Sequence, residues 1–197
     1  MTLALFDFDG TITNKDSLVD FIQFSIGKPK YYLGLLYLSP MLFLYKLKVI
    51  PNYVAKQKLL KYFFKNWLIT DFTQTTEFYS LHKLNAIIRP EALKKIQWHQ
   101  EQGHTIVIVS ASIQEWLKPW CNTHNLDLLS TELEVIGDKI SGNFSTKNCY
   151  GIEKVKRVQQ KYDLNQYSTI YAYGDSAGDK ELLEIAQHKF YKPFRLN

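Results

Sequence analysis

The sequence predicts an α/β protein, a parallel sheet interrupted after its first strand by a long helical insertion. Three observations predict it. Leu3–Phe8, Thr105–Val109 and Thr169–Tyr173 are short apolar runs of the kind buried on both faces of a parallel sheet. From residue 87 onward such runs alternate with helical patterns. Residues 14 to 86 contain no convincing strand.

Each element has its own signal. The first strand ends in carboxylates, and Asp16 is a plausible N-cap for a helix to about Ile26. Tyr31 to Leu47 is almost wholly apolar but holds Pro40 near its middle, which predicts two short helices buried on each other. In Asn52–Trp67 the apolar residues form a broad stripe with lysines between them, and a further helix is expected over Thr70–Asn85. Arg89-Pro90-Glu91 opens a helix that stops at Gly103. Beyond the strand Thr105–Val109 comes a helix from Gln114 to Asn122, disturbed by Pro119, and then a strand near Leu128–Thr131. A hairpin turning at Gly137-Asp138 follows. A helix from Gly151 to Tyr162, the strand Thr169–Tyr173, a helix from about Asp179 to Gln187 and a strand near Lys189–Tyr191 complete the chain.

Composition bounds the function. Of 197 residues, 46% are hydrophobic and 22% charged, which excludes wholesale disorder. Two cysteines, Cys121 and Cys149, exclude a disulfide framework, and no Cys/His cluster suggests zinc. With no basic leader or cleavage site before the first strand, a reducing, cytoplasmic setting is expected. The net charge of +5 is uneven: residues 21 to 70 contain eight lysines, no acid and 12 of the 29 aromatics. A block this distinct is expected to be its own structural unit. Its basic flanks and Leu/aromatic content also fit an interfacial, membrane-touching helix, whereas its length and Pro40 argue against a span. The lysines form no long basic run, so no nucleic-acid partner is expected.

Three strands end in polar residues: Asp7 and Asp9 after the first, Ser110 after the second, and Asp175 with Asp179 after the third. Open α/β sheets bind ligands at the carboxyl ends of their strands, so these groups could meet at one edge. In a strand, Asp7 and Asp9 would share a face. Clustered carboxylates repel and call for a cation, and an all-oxygen set suits Mg²⁺.

DFDGTIT, a hydrophobic strand ending in Ser110, a later lysine and GDSAGD, in that order, resemble the four motifs of the haloacid dehalogenase superfamily of phosphohydrolases. RPEALKKIQWHQEQGHTIVIVSAS, CYGIEKV and YGDSAGDKELLE resemble its phosphoserine-phosphatase-like branch, subfamily IB. The resemblance implies a Rossmann-like core (residues 1–13 and 87–197) and a helical cap (14–86) that selects the leaving group. It also implies roles. Asp7 is the nucleophile that forms an aspartyl-phosphate, and Asp9 the general acid and base. Asp7 and Asp175 bind Mg²⁺ through side chains and Asp9 through its carbonyl. Ser110 holds phosphoryl oxygens, with helix capping as its alternative. Lys154 pairs with Asp7 and phosphate, Lys156 being the competitor. Asp179 orients metal-bound water, or caps a helix. Asp16 faces the substrate, or caps its helix. Gly10, Thr11 and Ala111 flank the substrate.

Several positions depart from the branch. Gly10 stands for Ser, Ala111-Ser112 for Gly-Gly and Gly178 for Asn, and residues 14 to 86 contain no Arg. The changes point away from phosphoserine while leaving hydrolysis intact. The expected function is a Mg²⁺-dependent hydrolase of a small or lipid-like phosphomonoester. The alternatives are a phosphotransferase, or a binding protein using the basic aromatic block.

Overall fold

The computed structural model describes residues 1–195. Strand β1 (Thr2–Phe6) leads into four helices, α1 (Ser17–Ile26), α2 (Lys28–Lys46), α3 (Asn52–Phe64) and α4 (Ile69–His82). The chain continues through α5 (Pro90–Glu101), β2 (Thr105–Ile113), α6 (Gln114–Thr123), β3 (Asp127–Thr131) and the hairpin β4 (Leu133–Ile136) and β5 (Lys139–Phe144). It ends with α7 (Ile152–Lys161), β6 (Thr169–Gly174), α8 (Lys180–Glu184) and β7 (His188–Tyr191). The strands of the main sheet lie in the order β3-β2-β1-β6-β7, every pair parallel, so β1 is central.

Both faces of the sheet are covered. Leu3, Leu5, Val107, Val109, Ile170 and Ala172 pack with Val158 of α7 and Leu182 of α8. The alternate residues Ala4, Phe6, Ile106 and Ile108 belong to the other core, which runs on into the helical insertion. Phe21 of α1 joins the two layers: its ring stacks on Trp116 of α6 at 4.9 Å and meets Tyr79 and Phe64 at 5.3 Å each. The β4–β5 hairpin lies under the insertion. Asn66 N–H donates to Ile140 O at 2.9 Å, and Ile140 N–H to Trp67 O at 2.9 Å.

The structure corrects several expectations. The first strand stops at Phe6, so Asp7 and Asp9 are not strand neighbours on one face. The second strand runs on to Ile113. The helix expected over Asp179–Gln187 is a 3₁₀ turn, Ala177–Asp179, followed by α8. Pro119 does not break α6. Tyr31–Leu47 is not two buried helices but most of one continuous α2, of which only Tyr31 and Gly34 are buried. Pro40 has no N–H for the carbonyl of Leu36, and the hydroxyl of Ser39 donates to that carbonyl at 2.8 Å instead. A serine beside the proline thus lets the helix continue. No helix among the described residues is long and apolar enough to cross a membrane.

Helix α2 is held to α3 at Gly34. A Cβ there would lie 2.4 Å from Cζ of Phe63 and 2.7 Å from Cε1 of Tyr62. Phe63 is buried and cannot swing away freely. Gly34→Val is therefore expected to destabilise the protein by about 1–3 kcal/mol, read from the midpoint of urea unfolding.

Candidate active site

The site begins where β1 ends. Asp7 N–H still donates to Tyr173 O at 2.9 Å, which ties Asp7 to β6. The chain then makes a wide turn over residues 8 to 12, closed by Thr13 N–H donating to Phe8 O at 3.0 Å. Gly10 adopts φ +81° in it, and a Cβ there would lie 2.5 Å from Oδ2 of Asp175. Glycine is required twice, by its backbone conformation and by the approach of Asp175. Thr11 is fully buried, and its hydroxyl donates to Asp7 Oδ2 at 3.0 Å. Its place is behind the nucleophile candidate rather than against substrate, because the turn points it inward. Gly10 likewise acts through backbone and space.

Lys154, on the first turn of α7, is 1% exposed. Its Nζ donates to Asp7 Oδ1 and to Asp179 Oδ1, both at 2.6 Å. The neighbouring Lys156 is exposed. The other oxygen of Asp179 accepts from Asp175 N–H at 3.1 Å and from Ser176 N–H and Oγ at 2.9 and 2.8 Å. Asp179 thus organises the loop after β6 and neutralises half of Lys154. Burial opposes its charge, but Lys154 and the Ser176 bonds prevail and hold Asp179 below the usual carboxylate range. Burial also opposes the charge of Lys154, and the two carboxylates outweigh it and raise its pKa.

Asp9 is turned elsewhere. Its Oδ1 accepts from Ser17 N–H at 2.7 Å, and its Oδ2 accepts from the hydroxyl of Ser112 at 2.5 Å. Ser112 Oγ lies 2.9 Å from Ser17 Oγ, which accepts from Trp116 Nε1 at 3.1 Å. With the Ser112 proton committed to Asp9, the Ser17 hydroxyl donates to Ser112. Burial, reinforced by the nearby Asp16, raises the pKa of Asp9. This favours the protonated acid.

Strand β2 shifts register against β3 between Ser110 and Ile113. Across this irregularity Ser112 N–H donates to Ser110 Oγ at 3.0 Å, leaving the Ser110 hydroxyl proton free to donate. Ser110 and Ala111 line a cavity of about 270 Å³ with Asp7, Asp9, Lys154, Asp175 and Asp179. The insertion supplies Asp16, Tyr45, Asn52 and Lys56 to the same cavity, and Tyr150 and Ser176 complete it. Asp16 also caps α1, accepting from Val19 N–H at 3.1 Å, so the capping residue lines the cavity as well.

Carboxylate oxygens of Asp7, Asp175 and Asp179 lie within 4.8 Å of one another. Three carboxylates against the Lys154 ammonium and the Arg195 guanidinium leave an excess of one negative charge at the sheet edge. Burial, only partly offset by Lys154, pushes the Asp7 carboxyl up to about 7. Burial likewise raises Asp175, although Arg195 donates to its Oδ2 at 2.8 Å. The donor set is all oxygen, keeps a net negative charge and lines the cavity, with Gly10 leaving room for the Asp175 carboxylate to approach. A hard divalent cation such as Mg²⁺ fits it.

The sequence matches the haloacid dehalogenase-like hydrolase family over residues 4–184. The chain belongs to that family. It is 32% identical over 197 residues to Protein CicA of Caulobacter vibrioides, covering 98% of this chain and 86% of that protein. A shorter match, 34% over 114 residues, is to the inhibition of morphological differentiation protein of Streptomyces azureus, over 53% of this chain and 39% of that one. The fold is similar to that of a Bordetella pertussis Tohama I protein of unknown function, with a TM-score of 0.82, 20% identity and coverage of 94% and 86%. It is also similar to the phospho-aspartyl intermediate analogue of phosphoserine phosphatase, with a TM-score of 0.66, 16% identity and coverage of 95% and 84%.

As a haloacid dehalogenase-like hydrolase the protein has its chemistry-bearing carboxylates at the carboxyl edge of a parallel sheet. Sequence reasoning missed Ser112, Ser17, Tyr45, Asn52, Lys56 and Tyr150. For Tyr150 a signal was present: Gly178, where the resemblance expects Asn, would place a Cβ 2.2 Å from Cε2 of Tyr150. The glycine is the room that the ring occupies.

Lys154→Met leaves the buried Asp7 and Asp179 without their counter-charge and is expected to cost about 3–5 kcal/mol of stability at neutral pH. Asp7 would then rise above its value of about 7, far over its unfolded value of 3.8. Protons therefore bind the folded variant more tightly than the unfolded one, and stability returns as pH falls through the folded pKa toward that of the unfolded chain. Urea unfolding at about pH 7.5 and pH 5 should show the deficit shrinking at the lower pH.

Proposed function

We propose that the protein is a Mg²⁺-dependent phosphomonoesterase that works through an aspartyl-phosphate on Asp7. The observation that carries the reading is the division of labour between two neighbouring carboxylates. Asp7 is held at the mouth of the sheet by Thr11 and by the Lys154 ammonium, which favours its carboxylate, while Asp9 is held apart by Ser17 and Ser112 with no ammonium in hydrogen-bond contact, and burial and Asp16 raise its pKa. Burial raises both groups, but only Asp7 has a cation paired directly with it, and this difference suits a nucleophile and an acid.

An oxygen of Asp7 attacks phosphorus, the bond from phosphorus to the ester oxygen breaks, and Asp9 delivers its proton to the departing alcohol. Asp9, now a carboxylate, takes a proton from water as the water oxygen attacks phosphorus. The bond to Asp7 breaks, releasing inorganic phosphate and returning both carboxyl groups to their starting states. Lys154 neutralises charge beside Asp7 throughout, and the Ser110 hydroxyl donates to a phosphoryl oxygen. A bound Mg²⁺, held by Asp7 and Asp175 with the Asp9 carbonyl, would offset repulsion between phosphate and carboxylates. Asp179 would orient water on the ion.

On the leaving-group side, Tyr45 and Tyr150 supply aromatic wall and Lys56 a positive charge. Oδ1 of Asn52 is a buried acceptor with no donor among the described residues, while its Nδ2 donates to Tyr45 Oη at 3.0 Å. A leaving alcohol with a further hydroxyl or amino donor and an apolar portion matches this wall, in keeping with a small or lipid-like phosphomonoester.

Two experiments test the reading. Asp7→Asn should abolish phosphate release, whereas Asp9→Asn should slow an alkyl phosphate by about 10²–10⁴-fold and an activated aryl phosphate by much less. Equal losses on both esters would remove Asp9 from the acid role, and turnover by Asp7→Asn would remove the covalent route. Chelation by EDTA should silence the enzyme and Mg²⁺ restore it; restoration to full rate by Ca²⁺, with its longer and more numerous ligands, would overturn the metal assignment.

A further inference from the structure

The insertion presents an apolar surface that the proposed chemistry does not use. Along α2, Leu33, Leu36, Tyr37, Pro40, Phe43 and Leu47 fall at helical spacing on one side, and all are exposed. Leu36 and Tyr37 are 71% and 72% exposed. The opposite side, with Tyr31 and Gly34, packs on α3. From Leu33 to Leu47 the stripe is about 21 Å long. Lysines stand at both ends: Lys28 and Lys30 at the start, Lys46 and Lys48 at the finish, every one exposed.

We propose that this face of α2 docks on an anionic lipid bilayer, with Leu36, Phe43 and Leu47 entering the headgroup boundary and the four lysines meeting lipid phosphates. Charge decides the class of occupant. Residues 21 to 70 carry eight lysines and no acid, so a second copy of this chain on the same face would set like charge against like. The side-chain types decide between an anionic bilayer and an acidic protein. The stripe includes Tyr37 and is bordered by Tyr32, both exposed, and tyrosine belongs at the membrane–water boundary. A helix lying flat in that boundary buries one apolar side and keeps its basic residues at headgroup level. On the other side of the same helix Tyr45 lines the cavity, so the helix that docks also borders the site.

The test is flotation at low salt of the purified protein with vesicles of phosphatidylglycerol and phosphatidylcholine, or of phosphatidylcholine alone. Leu36→Ser/Phe43→Ser removes apolar area without changing charge. Lys28→Gln/Lys30→Gln/Lys46→Gln/Lys48→Gln removes the basic flanks without touching the stripe. Neither set includes a residue of the cavity, and circular dichroism melting checks that both variants are folded. The expected result is retention on the anionic vesicles only, weakened by at least about tenfold in each variant and by added salt. No retention of the wild-type protein overturns the proposal. So does retention that the serine variant leaves unchanged. A dimer in light scattering that dissociates in the serine variant, without vesicle binding, would also overturn it and give the face to a second copy. The readout is binding, so failure of the phosphatase reading would leave it standing.

Discussion

One buried ammonium holds the functional end of the sheet together. Lys154 stands between Asp7 on the turn after β1 and Asp179 on the loop after β6, and it is the shared counter-charge that lets these two ends approach. Its own position is fixed from both sides. Gly151, just before α7, donates its N–H to Gly178 O at 2.9 Å, and Cys149 N–H donates to Thr131 Oγ1 at 3.0 Å. The start of α7 is thereby tied to the β6 loop and to the end of β3. Because an isolated buried charge is so costly, the arrangement is all or nothing: the lysine needs both carboxylates, and each carboxylate needs the lysine.

The acid candidate depends on a different junction. Asp9 is held by Ser17 at the start of α1 and by Ser112 at the end of β2, and the Trp116 indole of α6 closes the chain of bonds. Phe21, four residues on from Ser17, stacks on the same Trp116. Beside the candidate acid Asp9, the sheet layer and the insertion therefore meet through an aromatic pair and a hydroxyl pair. Rigid packing at this seam is a condition for a constant environment at Asp9, since a hydroxyl displaced by even 1 Å would no longer hold the carboxyl group.

Much of this was legible in the sequence, and the limits have physical causes. Buried parallel strands announce themselves through apolar runs, and their carboxyl ends locate Asp7, Ser110 and Asp175 without knowledge of side-chain packing. The pairing of Lys154 over Lys156 followed from motif spacing, and the structure buries the first and exposes the second. What could not be read was set by contacts across the insertion. Tyr45, Asn52 and Lys56 line the cavity only because α2 and the start of α3 lie over the sheet edge, and nothing local to them marks that placement. The continuity of α2 is hidden for a similar reason: Pro40 is a strong local signal to stop, yet a single hydroxyl from Ser39 satisfies the carbonyl it orphans. Thr11 was placed against substrate by its neighbourhood in the motif, and the turn at Gly10 faces it inward to Asp7.

The departures from the phosphoserine-phosphatase-like pattern are linked in space. Asn is the residue expected at 178, and any side chain there would overlap the ring of Tyr150. Losing the Asn side chain of that pattern and gaining an aromatic wall are thus one structural change. It acts together with the absence of Arg from residues 14 to 86, where Lys56, Tyr45 and Asn52 now border the cavity. A carboxylate on the leaving group would find no bidentate partner from the insertion. An apolar portion would find two tyrosine rings, and a donor would find the open Oδ1 of Asn52. The hydrolytic end of the cavity and its selective end are therefore separable. The first is set by charges locked together at the sheet edge. The second is set by side chains whose placement rests on a missing Cβ at residue 178 and on the seating of α2 and α3, which substitution can alter without disturbing Lys154.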